Sequence, residues 1–170
     1  MSDLRKIKVP EQSLLFHSIH DADFADAYSI TLNKPHPDTS ALSLWLANIR
    51  KTPRWIDAAM GLRNRVVERI GLKNLGDLSA IDPNKPEADY RVGERLGIFT
   101  IEHISHDELV LGDKDKHLNV SISLLLQNSG RTLTISTVVH ENNWLGRVYM
   151  WFVAPMHRII APSVLKRFGA

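Results

Sequence analysis

Histidine is the residue type in this chain with the widest chemical capacity, since eight histidines occur among 170 residues and cysteine is absent. The absence of cysteine excludes disulfides, thiolate metal sites and a cysteine nucleophile. No two histidines are spaced as His-x-x-x-His, and the His-x-Glu sequence at His106 lacks the cysteine ligands that zinc sites of this type need. The sequence therefore predicts neither a metal site nor a bound cofactor.

Two histidines are candidates for general acid or base chemistry. His157 follows Met156 in the C-terminal apolar run, where its ring either faces a pocket or, like Arg158, hydrogen-bonds neighbouring strand ends or carbonyls that nearby prolines leave free. His117 begins a strand-like alternation and suits either a rim position or a ligand contact. No Gly-x-Ser-x-Gly elbow and no P-loop lysine accompany them. An enzyme of hydrolase or isomerase type that uses a pocket histidine is therefore the third-ranked function.

The element that must position His157 is the apolar run at residues 143–168. Its large apolar residues recur at helical spacings, which places them on one stripe. The stripe consists of Leu145, Val148, Tyr149, Phe152, Met156, Ile159 and Ile160. Asn142 or Asn143 can cap the start, and two internal prolines should bend the helix. The pattern predicts a long, mostly buried C-terminal helix.

Three other residues of this run bear on its packing. Trp151 lies away from the stripe, so it either packs under other helices or remains on the surface as part of a partner-facing or membrane-facing patch. Arg147 either pairs with Asp113, Asp115 or Glu141, or meets a ligand carboxylate. Gly146 in the first helical turn is unfavourable relative to alanine, which indicates that another backbone approaches closely there.

The rest of the chain predicts a sheet and a pair of helices. Alternation within residues 23–32 indicates a first strand centred on residues 28–32. Two helical patterns follow, the second beginning near Pro53 and ending at Gly71. A long connection occupies residues 74–90. Alternation with a period of two then predicts four antiparallel strands, at residues 96–105, 108–112, 117–127 and 133–141.

The predicted class is α+β, with a curved antiparallel sheet wrapped around the C-terminal helix and the helix pair between the first strand and the rest of the sheet. Residues 1–22 are expected to form an extended lead-in, and residues 23–170 a single domain. A sheet with one apolar face buries that face by closing around the helix. The space between sheet and helix is the expected cavity.

Composition is typical of a soluble globular protein. Hydrophobic residues make up 44% of the chain, charged residues 24%, and the formal net charge is only +2. So weak a positive field is poor evidence for nucleic-acid binding. The first residues lack the uninterrupted apolar core of a signal peptide, which makes a cytoplasmic location the expectation. Arg147 and Arg158 interrupt the C-terminal run, and no membrane span is predicted.

Several short motifs resemble one protein family over residues 23–168. They are Pro53-Arg54-Trp55, Arg63-Asn64, Gly71-Leu72, the 93–99 segment, Asp115-Lys116-His117-Leu118, Asn143-Trp144-Leu145-Gly146-Arg147-Val148-Tyr149 and Pro155-Met156-His157-Arg158. The family is the uncharacterised bacterial one catalogued as domain of unknown function 2867. The resemblance implies a START-like helix-grip fold of the SRPBCC superfamily. Some relatives are appended to nucleotide-binding domains, and because the family has no established activity, the resemblance implies no catalytic residues.

Two functions are expected ahead of an enzyme. The first is binding of a small apolar or lipid-like ligand between the sheet and the C-terminal helix. The expected lining residues are Phe99, Ile101, His117, Val120, Ile122, Ile135, Thr137, Tyr149, Phe152, Met156 and His157. The alternative is a non-enzymatic interaction or regulatory module, which forms a homodimer or docks on a partner protein through the surface around Trp151 and the connection at residues 74–90.

Overall fold

A computed structural model describes residues 3–49, 55–56, 58, 61, 64–65, 81–82 and 84–168. The strands are β1 (Leu4–Ile7), β2 (Phe24–Thr31), β3 (Arg95–Leu96), β4 (Phe99–Ile104), β5 (Glu108–Lys114), β6 (Leu118–Gln127) and β7 (Thr132–Glu141). The α-helices with described bounds are α1 (Ala41–Ile49) and α2 (Trp144–Phe168), and short 3-10 helices span Phe16–Ile19 and Glu87–Asp89.

The strands form one open antiparallel sheet in the order β1-β2-β7-β6-β5-β4-β3. Together with α2 this confirms the α+β class. Asn128, Ser129 and Gly130 all have positive φ and form the turn between β6 and β7. The strand expected at residues 96–105 is divided in two, because Gly97 adopts a φ of 62° and turns the chain between β3 and β4.

The two faces of the sheet are covered by different parts of the chain. One face packs against α1 and the C-terminal half of α2, through a core that includes Ile30, Leu124 and Leu165. On the other face, residues 8–22 cross the sheet, where Val9 and Leu15 pack on Ala27, Val110 and Val138. The expected lead-in therefore adds strand β1 to the sheet and covers the face that α2 does not.

The start of α2 is fixed against the start of β6. Asn143 caps the helix, since its Oδ1 accepts the backbone N–H groups of Leu145 at 3.1 Å and Gly146 at 3.2 Å. The carbonyl oxygen of His117 accepts the backbone N–H of Asn142 at 2.9 Å. A side chain at Gly146 would overlap that same carbonyl oxygen. The close backbone approach expected at Gly146 is thus confirmed, and its partner is a strand.

Helix α2 packs on the sheet through a face that the apolar stripe did not indicate. Its buried residues are Gly146, Met150, Ala161, Leu165 and Phe168. The stripe residues Val148, Phe152, Met156 and Ile159 are exposed instead. The prediction of a mostly buried helix is therefore wrong. The buried face contains glycine and alanine, which carry little hydrophobicity but permit close packing, so hydropathy alone pointed to the opposite side.

The expected helix pair is described only in part. Helix α1 agrees with the first helical pattern, and its buried residues include Leu42, Trp45 and Ile49. The second helix, expected from Pro53 to Gly71, lies largely outside the described residues, although those described between residues 55 and 65 are helical. The connection expected at residues 74–90 is described at 81–82 and 84–90, where Lys85 forms a 2.7 Å ion pair with Glu94.

Substituting Gly146 with alanine should destabilise the protein, because the added Cβ overlaps the His117 carbonyl and the strand must move. We expect a loss of about 1–3 kcal/mol, as for other overpacked sites. Gly61→Ala is the matched control, since its Cβ would meet no atom within 4 Å and alanine favours a helix. Thermal unfolding of both variants measures the difference, and a Gly146→Ala melting temperature equal to that of the control contradicts the close approach.

Candidate functional site

A buried carboxylate lies beneath the middle of α2. Alternation along β2 directs Phe24, Asp26 and Tyr28 to the face that α2 covers, and the side chain of Asp26 is only 3% exposed. Nε2 of His157 lies 3.2 Å from Oδ1 of Asp26, and the His157 ring packs edge-on against Phe24 with centroids 5.9 Å apart. This pair joins β2 to α2 at the centre of their contact.

The polar group around Asp26 extends into the neighbouring strand. Thr137 on β7 is the register partner of Asp26. Among the described residues, Oδ2 of Asp26 and Oγ1 of Thr137 are both buried without a hydrogen-bond partner. Burial raises the pKa of Tyr28 above its ordinary value, the nearby charge of Asp26 raises it further, and the charge of Arg158 opposes that rise. Buried polar atoms of this kind are uncommon in structural cores.

Sequence reasoning found His157 and Thr137 but missed Asp26. The signal was present, because Asp26 is the charged residue that interrupts the apolar alternation of the first strand. A carboxylate that holds one nitrogen of a histidine can orient the ring for proton transfer through its other nitrogen. The sequence also allowed His157 to hydrogen-bond free carbonyls of the helix or the ends of neighbouring strands. The structure instead pairs the ring with Asp26.

Two depressions in the described part of the chain lie away from this pair. A cavity of about 10 Å³ between α1 and α2 is lined by residues that include Trp45, Val164 and Phe168. An open groove of about 500 Å³ at one end of the sheet is lined by residues that include Gln12 and Glu108. The first is large enough for at most a water molecule, and the second opens widely to solvent.

The residues expected to line one pocket are divided among several environments. Phe99, Ile101 and Ile135 are buried in the main core, and Thr137 lies near Asp26. Ile122 is half-buried against the main core, and Val120 and Tyr149 are half-buried against the cluster of Leu118, Val139 and Met150. His117 is buried beside Asn143. Phe152 and Met156 lie on the outer side of α2, which corrects the expectation that they face the sheet. The described structure does not bring the set together.

The outer face of α2 is the second candidate site. We define it by its exposed apolar residues Trp144, Val148, Trp151, Phe152, Met156 and Ile159. The Trp151 side chain is 74% exposed and Phe152 64% exposed, and their rings stack edge to face with centroids 4.9 Å apart. The sequence left open whether Trp151 packs under other helices or stays on the surface, and the structure shows the surface position.

Cationic residues border this outer face. Arg147 and Arg158 are exposed beside it, and Lys166 and Arg167 lie in the last turn of α2, where the helix dipole favours them. The sequence from residue 144 to residue 168 contains no Asp or Glu. Arg147 lies 3.8 Å from Glu141, which favours the structural reading of that side chain, although exposure makes the ion pair weak.

These features define an α+β protein in which a long C-terminal helix covers one face of an antiparallel sheet and presents an apolar outer side. The chain belongs to the family described as protein of unknown function DUF2867, whose model matches residues 18–164. The resemblance noted in the sequence is thereby confirmed at the level of the family. No curated protein shows significant similarity to the chain. No solved structure does so either.

Two further features bear on the class of site. In the described residues, no group of three or more histidine, aspartate or glutamate side chains is placed to hold a metal ion. By length and composition alone, α2 is apolar enough to cross a membrane, with a mean hydropathy of 1.2 over its most apolar window. A helix that packs on a soluble core passes the same test, so this finding is weak evidence for a span.

The Asp26–His157 pair should be coupled in a double-mutant cycle. Removing His157 leaves a buried carboxylate without its partner, so we expect His157→Ala and Asp26→Asn each to cost about 1–3 kcal/mol. The double variant should lose less stability than the two single variants lose together, and the difference, the coupling energy, should be about 1 kcal/mol or more. The exposed His140–Asp21 pair, at 3.3 Å, is the control and should couple by less than about 0.5 kcal/mol. Denaturant unfolding measures both cycles. Equal coupling energies in the two pairs would contradict a buried contact between Asp26 and His157.

The raised pKa of Tyr28 should make the fold sensitive to alkaline pH. A phenol whose pKa is raised by folding stabilises the native state below the ordinary value of 10.0, and that contribution is lost as pH rises through the folded-state pKa. Tyr28→Phe should remove this part of the decrease in the free energy of unfolding at alkaline pH. Asp26→Asn should lower the pKa of Tyr28. Absorbance titration of phenolate, with the Tyr28→Phe curve subtracted, reports the shift. If Asp26→Asn leaves the titration of Tyr28 unchanged, the Asp26 carboxylate does not lie close to the Tyr28 phenol.

Proposed function

We propose that this protein is a non-enzymatic interaction module that docks an apolar partner on the outer face of α2. The observation that carries the proposal is the exposure of Trp151 and Phe152 at the centre of that face. Single exposed apolar residues are ordinary, but contiguous exposed patches mark interaction sites. Here the exposed residues recur along one side of a single helix, so they form a continuous strip.

The energetics of the outer face support a docking role. Fully burying one large apolar side chain contributes about 1.5–3 kcal/mol, so covering several of them stabilises a complex appreciably. Tryptophan and phenylalanine also supply large contact areas with few rotatable bonds, which limits the entropy lost on binding. The arrangement suits a partner that is itself apolar.

The inner face of α2 makes the outer face rigid. Met150 packs on Leu118 and Val139, and Leu165 and Phe168 lie in the main core. The Asn143 cap and the Gly146 contact hold the start of the helix on β6. A face held from beneath is organised before binding, so the complex loses little conformational entropy when it forms.

A small apolar or lipid-like ligand between the sheet and α2 is the second candidate. It is supported by the buried, unpartnered oxygens of Asp26 and Thr137 in that contact, which a polar group on a ligand could satisfy. The neighbouring His157 would then orient the ligand or exchange a proton with it. Native mass spectrometry of gently purified protein tests this candidate, and a mass equal to that of the bare chain contradicts it.

Replacing Trp151 and Phe152 together by serine should abolish binding by the outer face of α2 without unfolding the protein. Wild type should associate with micelles of a non-ionic detergent, or with itself, and the double variant should do neither. Val92→Ser is the control, since Val92 is 62% exposed but lies outside α2. Size-exclusion chromatography with light scattering measures all three. A wild-type protein that is monomeric with and without detergent, like the double variant, contradicts the proposed function.

A further inference from the structure

We infer that the partner of the outer face is the surface of an anionic lipid bilayer. The inference rests on the proposed function and names its partner. Its basis is the combination of exposed Trp144, Trp151 and Phe152 with bordering arginines, on a helix that contains no acidic residue. Helices that lie in a membrane interface combine an apolar side with cationic residues in this way.

The charges argue against a second copy of the chain as the partner. Two copies of α2 packed through their outer faces would bring Arg147 and Arg158 of each helix close to a partner helix without Asp or Glu. Like charges placed at an interface oppose association, whereas anionic headgroups attract them. The formal charge of +2 for the whole chain is small, so the attraction comes from the local placement of these residues.

The geometry favours a helix that lies along the membrane surface. The outer face extends from Trp144 to Ile159, a distance of about 22 Å along a helix that rises about 1.5 Å per residue. Its opposite side is held by Met150 and Leu165 in the protein core, so insertion across the bilayer would require those contacts to break. Tryptophan and phenylalanine would enter the interfacial layer, to which tryptophan is well suited, and the arginines would reach the headgroups.

The test compares full-length protein on two kinds of vesicle: phosphatidylcholine alone, and an equimolar mixture of phosphatidylcholine and phosphatidylglycerol. We expect co-sedimentation with the mixed vesicles, weakened by salt, together with a blue shift of tryptophan emission. Binding to phosphatidylcholine alone should be much weaker. Trp151→Ser with Phe152→Ser should abolish binding to both.

A charge variant isolates the role of the arginines. Arg147→Gln with Arg158→Gln should weaken binding to the mixed vesicles about 30-fold, since each cation near an anionic surface contributes about 1 kcal/mol. Lys8→Gln with Arg95→Gln is the matched control, because it removes the same charge from exposed positions outside α2 and should leave binding unchanged. Thermal unfolding confirms that each variant is folded.

Three results overturn the inference, and they differ in what they imply for the proposed function. If the protein binds both vesicle types equally and the arginine variant leaves binding unchanged, the outer face binds an apolar surface but does not recognise negative charge. Absence of vesicle binding, with self-association that the Trp151 and Phe152 double variant abolishes, shows that the partner is a second copy. Absence of vesicle binding, micelle binding and self-association together removes the proposed function as well.

Discussion

The contact between the first turn of α2 and the start of β6 determines how the long helix lies on the sheet. The carbonyl of His117 receives the N–H of Asn142 and lies directly against Gly146, while the side chain of Asn143 caps the helix. Oδ1 of Asp115 holds the chain before β6 by accepting the N–H of His117 at 2.6 Å. These bonds fix the position and rotation of α2, and therefore which of its sides meets the sheet.

That rotation explains both candidate sites. The side of α2 that faces the sheet carries His157 onto buried Asp26, where two apolar surfaces would otherwise pack. The opposite side carries Trp151 and Phe152 into solvent. A carboxylate beneath a helix and aromatic residues above it are each unfavourable in a free, soluble protein. The exposed aromatic residues are consistent with a surface that binds a partner, whereas the buried pair fixes α2 to β2 through a directional contact.

Much of the fold was predictable because strong local signals specify it. The alternation of β6 and β7, the turn at Asn128 to Gly130 and the cap at Asn143 are encoded within short segments. The packing side of α2 was not predictable in this way. Its large apolar residues form a stripe on the side that is mostly exposed, so periodicity indicated the wrong side. The decisive residue was Gly146, whose role depends on a strand distant in sequence.

The candidate sites were less predictable than the fold, because they depend on contacts between residues that are distant in sequence. His157 and Trp151 were identified as residues of interest, but their surroundings depend on the rotation of α2. Asp26 was visible as a break in alternation, yet its pairing with a residue far along the chain requires the tertiary structure. The START-like classification stays a prediction, since the sheet and the long helix are compatible with it without establishing it.

The rotation of α2 can be measured directly because the chain contains no cysteine. Single cysteines at positions 150 and 152 would sit on opposite sides of the helix, one buried and one exposed. We expect a maleimide to label Phe152→Cys in the native protein as fast as in the unfolded chain, and to label Met150→Cys only as the protein unfolds. Equal labelling rates at the two positions, or faster labelling at position 150, would contradict the orientation of α2 and both sites that depend on it.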